Sequence, residues 1–193
     1  MRFFALSVAA LAALFLCSCA TDTKNVMIVS VAKQQMQLQH DGVPVVTYPI
    51  STSKFGLGDI PRSNKTPVGQ MVVKKKIGGG LPPGAVLKSR KPTGEVLPPN
   101  APGRDPIVTR ILWLDGVEAS TANAYNRYIY IHGTPEERTI GTASSYGCIR
   151  MRSADVIDLY DRVGRGARVF VVDDRFPDPA AAPASALPTS GVE

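Results

Sequence analysis

Ile131-His132-Gly133-Thr134 closes one run of alternating apolar residues, and Ser144-Ser145-Tyr146-Gly147-Cys148-Ile149-Arg150-Met151 follows a short way beyond it. A thiol attacks a carbonyl as thiolate, so its ordinary pKa of about 8.5 has to be lowered or a base has to stand beside it. Imidazole suits that task because it takes and returns a proton near neutrality. His132 lies beside a glycine at a predicted strand end. The other histidine, His40, adjoins a predicted hairpin turn and reads as an exposed turn residue. Gly147 removes bulk next to Cys148 and lets the backbone bend, so N–H groups from Tyr146 to Cys148 can face a developing oxyanion. Arg150 is placed to bind a substrate carboxylate or to brace the loop. Cys148 and His132 are thus the candidate nucleophile and base.

Outward from this pair the chain reads as strands and one helix. Ser153 is a predicted helix cap with Asp155 in the first turn, and Val156, Leu159, Tyr160 and Val163 fall at amphipathic spacing. Gly164 and Gly166 stop that helix, and Val169 to Val172 forms a last strand. Upstream, Asn126 to Ile131 alternates as a strand leading into His132. Ile107 to Leu114 reads as another, closed by a turn at Asp115-Gly116. Val26 to Val31 alternates, and Gln35 to His40 and Val43 to Ile50 pair across an Asp41-Gly42 hairpin turn. Gln70 to Lys75 is a further short strand. Residues 78–106 are rich in Gly and Pro, and such an insertion reads either as a functional lid or as a disordered segment. The sum is one mainly-β domain over residues 25–175, with a Pro/Ala/Ser-rich tail, 176–193, expected to be disordered.

The N-terminus is of a different kind. Met1-Arg2 precedes an apolar run from Phe3 to Leu16, too short to span a bilayer comfortably and suited to a signal peptide. Leu16-Cys17-Ser18-Cys19-Ala20 resembles the lipobox of bacterial lipoproteins, which implies a lipoprotein signal segment over residues 1–19 whose last residue, Cys19, is lipidated and stays as the mature N-terminus. Cleavage after Ala20 without a lipid is the alternative. With Cys19 processed, Cys148 is the one thiol left in the mature chain, unpaired in an oxidising compartment. The net charge is +6, and the Lys74-Lys75-Lys76 run reads as a solvated face attractive to anionic envelope polymers. No recognition motif supports nucleic-acid binding. One Cys and one usable His fall short of a metal site, and Ser144 and Ser145 lack the Gly-x-Ser-x-Gly setting of a serine hydrolase.

His132-Gly133-Thr134 with Ser145-Tyr146-Gly147-Cys148-Ile149-Arg150-Met151 closely resembles the signature of the L,D-transpeptidase (YkuD-type) catalytic domain. The resemblance extends through the helix and last strand, and more loosely back to Tyr48-Pro49-Ile50-Ser51 and Thr66-Pro67-Val68-Gly69. It implies a β-sandwich-like catalytic domain with one helix after the cysteine. It also implies a reaction on peptidoglycan stem peptides that needs no metal or organic cofactor. Cys148 would attack the carbonyl joining the third-position diamino acid to terminal D-alanine, with His132 as base. Gly133 and Ser145 would orient the imidazole. The acyl group would pass to a stem amine or an anchored wall protein, in the periplasm-facing envelope, with a lipid anchor or in soluble form. Water as acceptor would make the protein an L,D-carboxypeptidase, and a non-catalytic wall-binding lipoprotein is the rival of another class. Many family members carry His before the Gly-Cys pair, where this chain has Tyr146. A papain-like order fits less well, because His132 precedes Cys148.

Overall fold

Ten strands and one helix make up the computed structural model, which describes residues 21–174. The predicted signal segment, Cys19 and the 176–193 tail lie outside the described residues. β1 (Asn25–Ser30), β2 (Gln35–His40) and β3 (Val43–Pro49) form an antiparallel meander, and Asp41-Gly42 turns between the last two with both residues at positive φ. β4 (Gly69–Ile77) and β7 (Val108–Gly116) are the long strands of the sheet. β5 (Ala85–Lys88) and β6 (Lys91–Val96) form a hairpin, β8 (Tyr130–Gly133) and β9 (Ile149–Met151) are short, and β10 (Arg168–Val172) ends the described fold. The sheet order is β3-β2-β1-β10-β4-β7-β5-β6, with β8 joining β7 and β9 joining β8.

The main core receives side chains from β2 and β3 at one edge and from β7, β8 and β9 beyond β4, and a smaller cluster of Leu87, Ile111, Trp113 and Tyr130 lies apart from it. Met27 and Val29, Met36 and Leu38, Met71 and Val73, Leu112 and Leu114, Ile149 and Met151, and Val169 and Val171 alternate into the main core. α1 (Ser153–Arg162) packs on that core through Val156 and Leu159. Each such side chain contributes about 1.5–3 kcal/mol by leaving water. The fold is therefore the mainly-β, one-helix architecture expected from the pattern.

Several local expectations are corrected. Asp115-Gly116 is not a turn: both residues extend β7, pairing with Val72 and Met71, and Asp115 holds Lys74 at 3.1 Å. The alternation of 126–129 does not make a strand either. Residues 122–128 form successive turns, because Arg127 is drawn into a buried ion pair described below. Ser153 lies inside α1 rather than capping it, and its N–H donates to Glu137 Oε1 at 2.8 Å, so the cap comes from a distant loop. The 78–106 stretch is not structureless, since it carries the β5–β6 hairpin, which touches β7 at Val86 and Val108. The three lysines are also not one free basic face. Lys75 lies over Trp113, and Lys76 Nζ donates to the carbonyls of Tyr160 and Val163, at 2.6 Å each, where α1 ends.

Candidate active site

The reactive residues reach one face by strand parity. β8 runs parallel to β9 with His132 opposite Arg150, while Ile131 opposite Ile149 belongs to the core. Side chains alternate along a strand, so His132 and Arg150 point away from the main core, as does Tyr130, which joins the smaller buried cluster of Leu87, Ile111 and Trp113 against which Cys148 packs. β7 continues the rows: Ile111 pairs with His132 and Trp113 with Tyr130, and Lys75 on β4 pairs with Trp113. Across four strands the outer face thus reads Lys75, Trp113, Tyr130, Cys148 in one row. The neighbouring row is Ile77, Ile111, His132, Arg150.

His132 is buried, and its Nδ1 lies 2.8 Å from the Gly133 carbonyl. That acceptor requires the proton on Nδ1, leaving Nε2 with a free lone pair. Burial depresses the imidazole below its ordinary value of 6.5, partly offset by the Gly133 carbonyl and the charge of Asp105. Gly133 is glycine for lack of room, since a Cβ there would stand 2.7 Å from the Val108 carbonyl. Facing it, β7 has a bulge between Val108 and Ile111, with Thr109 at φ +71, a backbone outlier for a β-branched residue. The Thr109 hydroxyl bridges Ser153 Oγ at 2.8 Å and accepts the Gly84 N–H at 2.9 Å.

The Cys148 thiol is partly buried and donates to the Tyr128 carbonyl at 3.4 Å. Burial pushes it up to about 11, against the lowering effect of the Tyr130 backbone N–H and of Arg127 and Arg150. At neutral pH the resting pair is therefore a protonated thiol and a neutral imidazole. Gly147 holds φ +117, which suits glycine alone, and its carbonyl accepts Thr66 Oγ1–H at 3.0 Å. Ser145 Oγ donates to the Cys148 carbonyl at 2.6 Å and accepts the Gly147 N–H at 3.2 Å. It shapes the nucleophile loop and does not engage the imidazole. Further fastening comes from residues 51–54: Ser51 exchanges two backbone bonds of 2.9 Å with Arg150, and Thr52 O accepts from Ser144 and Ser145.

Arg150 braces rather than protrudes. Its guanidinium, 5% exposed, pairs with Asp105, donates to Ser144 Oγ, and reaches Thr139 Oγ1 at 3.1 Å. Asp105 also accepts the Thr134 hydroxyl. The Gly/Pro-rich segment therefore supplies the carboxylate that ties the His132 and Cys148 segments together. No local motif marks Asp105 for that role, and the same is true of Asp59 and Arg127. These two form an ion pair of 2.7 Å, each side chain 7% exposed, and Arg127 also donates to the carbonyls of Gly58 and Lys65.

A groove of about 400 Å³ opens at Cys148, lined by Pro61, Arg62, Asn64, Asn126, Arg127, Tyr128, Ile129 and Tyr146. Among the described residues no acidic side chain lines it. Tyr146 is 63% exposed and forms a lip with Phe55 and with Lys54, whose Nζ lies 4.3 Å from its ring centre. Among the described residues no group of three His, Cys, Asp or Glu is arranged to hold a metal ion, and no helix is long and apolar enough to cross a membrane.

Residues 24–171 match the YkuD family, the L,D-transpeptidase catalytic domain. The chain is 27% identical over 132 residues to YbiS of Escherichia coli, a probable L,D-transpeptidase, covering 68% of this chain and 40% of that protein. A 41-residue stretch is 51% identical to YkuD of Bacillus subtilis, covering 21% of this chain and 25% of that one. The chain thus spans well under two thirds of the length of these relatives. Among solved structures, an L,D-transpeptidase from Mycobacterium smegmatis superposes with a TM-score of 0.52 at 19% identity, over 77% of this chain and 58% of that one. L,D-transpeptidase 3 from Mycobacterium tuberculosis gives 0.51 at 19% identity, over 77% and 61%. Both likenesses show a shared fold.

Proposed function

Because the chain belongs to the YkuD family of L,D-transpeptidase catalytic domains, we propose that it transfers peptidoglycan stem peptides through a thioester on Cys148. The observation that carries this reading is the parallel pairing of β8 with β9, which turns thiol and imidazole to one face beside an acid-free groove. The Cys148 sulfur attacks the carbonyl carbon between the third-position diamino acid and terminal D-alanine, while His132 Nε2 accepts the S–H proton. The N–H groups of Cys148 and Tyr146 meet the oxyanion, since that of Gly147 is already given to Ser145. Collapse breaks the C–N bond, the imidazolium returns its proton to the departing amine of D-alanine, and a thioester remains. An acceptor amine, from a second stem or an anchored wall protein, then displaces the thiol, which recovers a proton through His132. Lipidation at Cys19 would hold the domain on the periplasmic side of an envelope membrane.

The test is mass spectrometry of tetrapeptide muropeptides incubated with the protein and with its Cys148→Ala variant. Loss of D-alanine only with Cys148 intact is expected. A cross-linked product identifies a transpeptidase and a tripeptide an L,D-carboxypeptidase. No product from either protein, with the muropeptide still bound, would replace the enzyme by a wall-binding protein.

A further inference from the structure

Arg90 occupies the second position of the two-residue turn joining β5 to β6, where Lys88 pairs with Lys91. Ser89 and Arg90 both hold positive φ, 49° and 67°. Such a turn favours Asn-Gly or Gly-Gly, so an arginine here is held in a conformation its own backbone resists. Its guanidinium lies 5.2 Å from the Trp113 ring centre and 5.3 Å from that of Tyr128, beside the Tyr130 hydroxyl. The Tyr130 backbone N–H bonds the Cys148 thiol, and Tyr128 lines the groove and accepts the thiol hydrogen bond. Among the described residues no carboxylate pairs with Arg90. The acids nearest the site are committed elsewhere, Asp59 to Arg127 and Asp105 to Arg150. The other cations at the groove, Lys54 and Arg62, have no acidic partner among the described residues either.

A guanidinium held against aromatic rings, with one N–H given to the Tyr130 hydroxyl, keeps further N–H groups for a carboxylate. We propose that Arg90 is a substrate-binding residue that receives a carboxylate of the stem peptide over the Trp113–Tyr128–Tyr130 platform and orients the scissile carbonyl toward Cys148. The assignment rests on the proposed function and deepens it: the donor must be anionic beside the scissile bond. Two carboxylates qualify, that of terminal D-alanine and the second one of a dicarboxylic diamino acid, and they share one recognition chemistry. The hairpin carrying Arg90 then selects from beside the groove, where Arg90 meets Tyr128.

The experiment measures calorimetric binding of a stem tetrapeptide, its two mono-amides and its bis-amide to full-length Cys148→Ala protein, with Arg90 intact or replaced by Gly. Glycine suits the turn, so Arg90→Gly keeps the hairpin. The variant is expected to bind the tetrapeptide about tenfold more weakly, the loss of one charge-assisted contact, and the bis-amide unchanged. The mono-amide that erases the difference identifies the carboxylate. Equal weakening toward tetrapeptide and bis-amide would show a hairpin latch only, and equal binding by both proteins would show no role; either overturns the proposal. A second readout needs no peptide. The rate of Cys148 alkylation by iodoacetate relative to neutral iodoacetamide should fall severalfold in Arg90→Gly, and an unchanged ratio counts against the proposal. Turnover by the protein with Cys148 intact, measured in parallel, separates the two ideas. Arg90-dependent binding without turnover sinks the transpeptidase reading alone, whereas turnover with Arg90-independent binding sinks this one alone.

Discussion

On the proposed mechanism, Cys148 and His132 react by base-assisted attack from a neutral pair, not from a standing thiolate–imidazolium pair. With the thiol pushed up to about 11 by burial, Cys148 alkylation by iodoacetamide should keep rising through pH 9 and beyond. Saturation near neutrality would contradict the neutral pair. Turnover should behave differently, since His132 must be unprotonated and burial holds it below 6.5. The kcat/KM profile is expected to be level at pH 7 and to fall only as pH drops through that lowered value. Asp105 carries a separate expectation. Its removal leaves the Arg150 guanidinium buried without its carboxylate, which costs about 3 kcal/mol. Asp105→Ala should shift the denaturant midpoint accordingly and lower kcat, and a variant of unchanged stability would refute the bracing role. Cys148, His132 and Arg150 were all legible as a motif. Asp105 was not, because nothing around an Asp in a Gly/Pro-rich segment says which distant cation it will meet.

Strands and helix do their work here through where they start and stop. The loop of residues 57–66 is held against the 122–128 turns by Asp59 and Arg127, and those turns form a wall of the groove. Asp59→Leu alone should destabilise by about 3–5 kcal/mol, because an unpaired guanidinium stays buried. The Asp59→Leu/Arg127→Leu double variant should recover much of that loss in a double-mutant cycle. Glu137→Ala removes the acceptor at the first turn of α1 and is expected to cost about 1 kcal/mol, measurable by urea unfolding. The hairpin at Asp41-Gly42, the helix stripe and the strand ending in His132 were readable from local pattern. Asp115-Gly116 misled because cross-strand pairing with Val72 and Met71 overrides a dipeptide's turn preference. Asn126 to Ile129 misled because a buried ion pair outweighs alternation.

The whole molecule couples the site to stability through pH. Below about 6.5 the unfolded chain takes up a proton at His132 that the folded chain resists, so stability falls as pH drops from there toward the lowered value. Above about 9 the unfolded chain releases the Cys148 proton that the folded chain keeps until about 11, so stability falls as pH rises across that interval. Thermal midpoints should therefore plateau between the two, with Cys148→Ala flattening the alkaline limb and His132→Gln the acid limb. Limbs unchanged by these substitutions would place the titrating groups elsewhere. By itself the sequence determined the mainly-β class, the helix after the cysteine, and the family, and it singled out Cys148 and His132 as the candidate pair, because periodicity and a short spaced motif are local properties. Only the tertiary structure decided that β10 inserts between β1 and β4, that parallel β8–β9 pairing turns Cys148 and His132 to one face, that Asp59 pairs with Arg127 and Asp105 with Arg150, and that Arg90 lies against Tyr128. Those are pairings between residues far apart in the chain, selected by burial and charge satisfaction across the completed sheet, and no local window contains both partners.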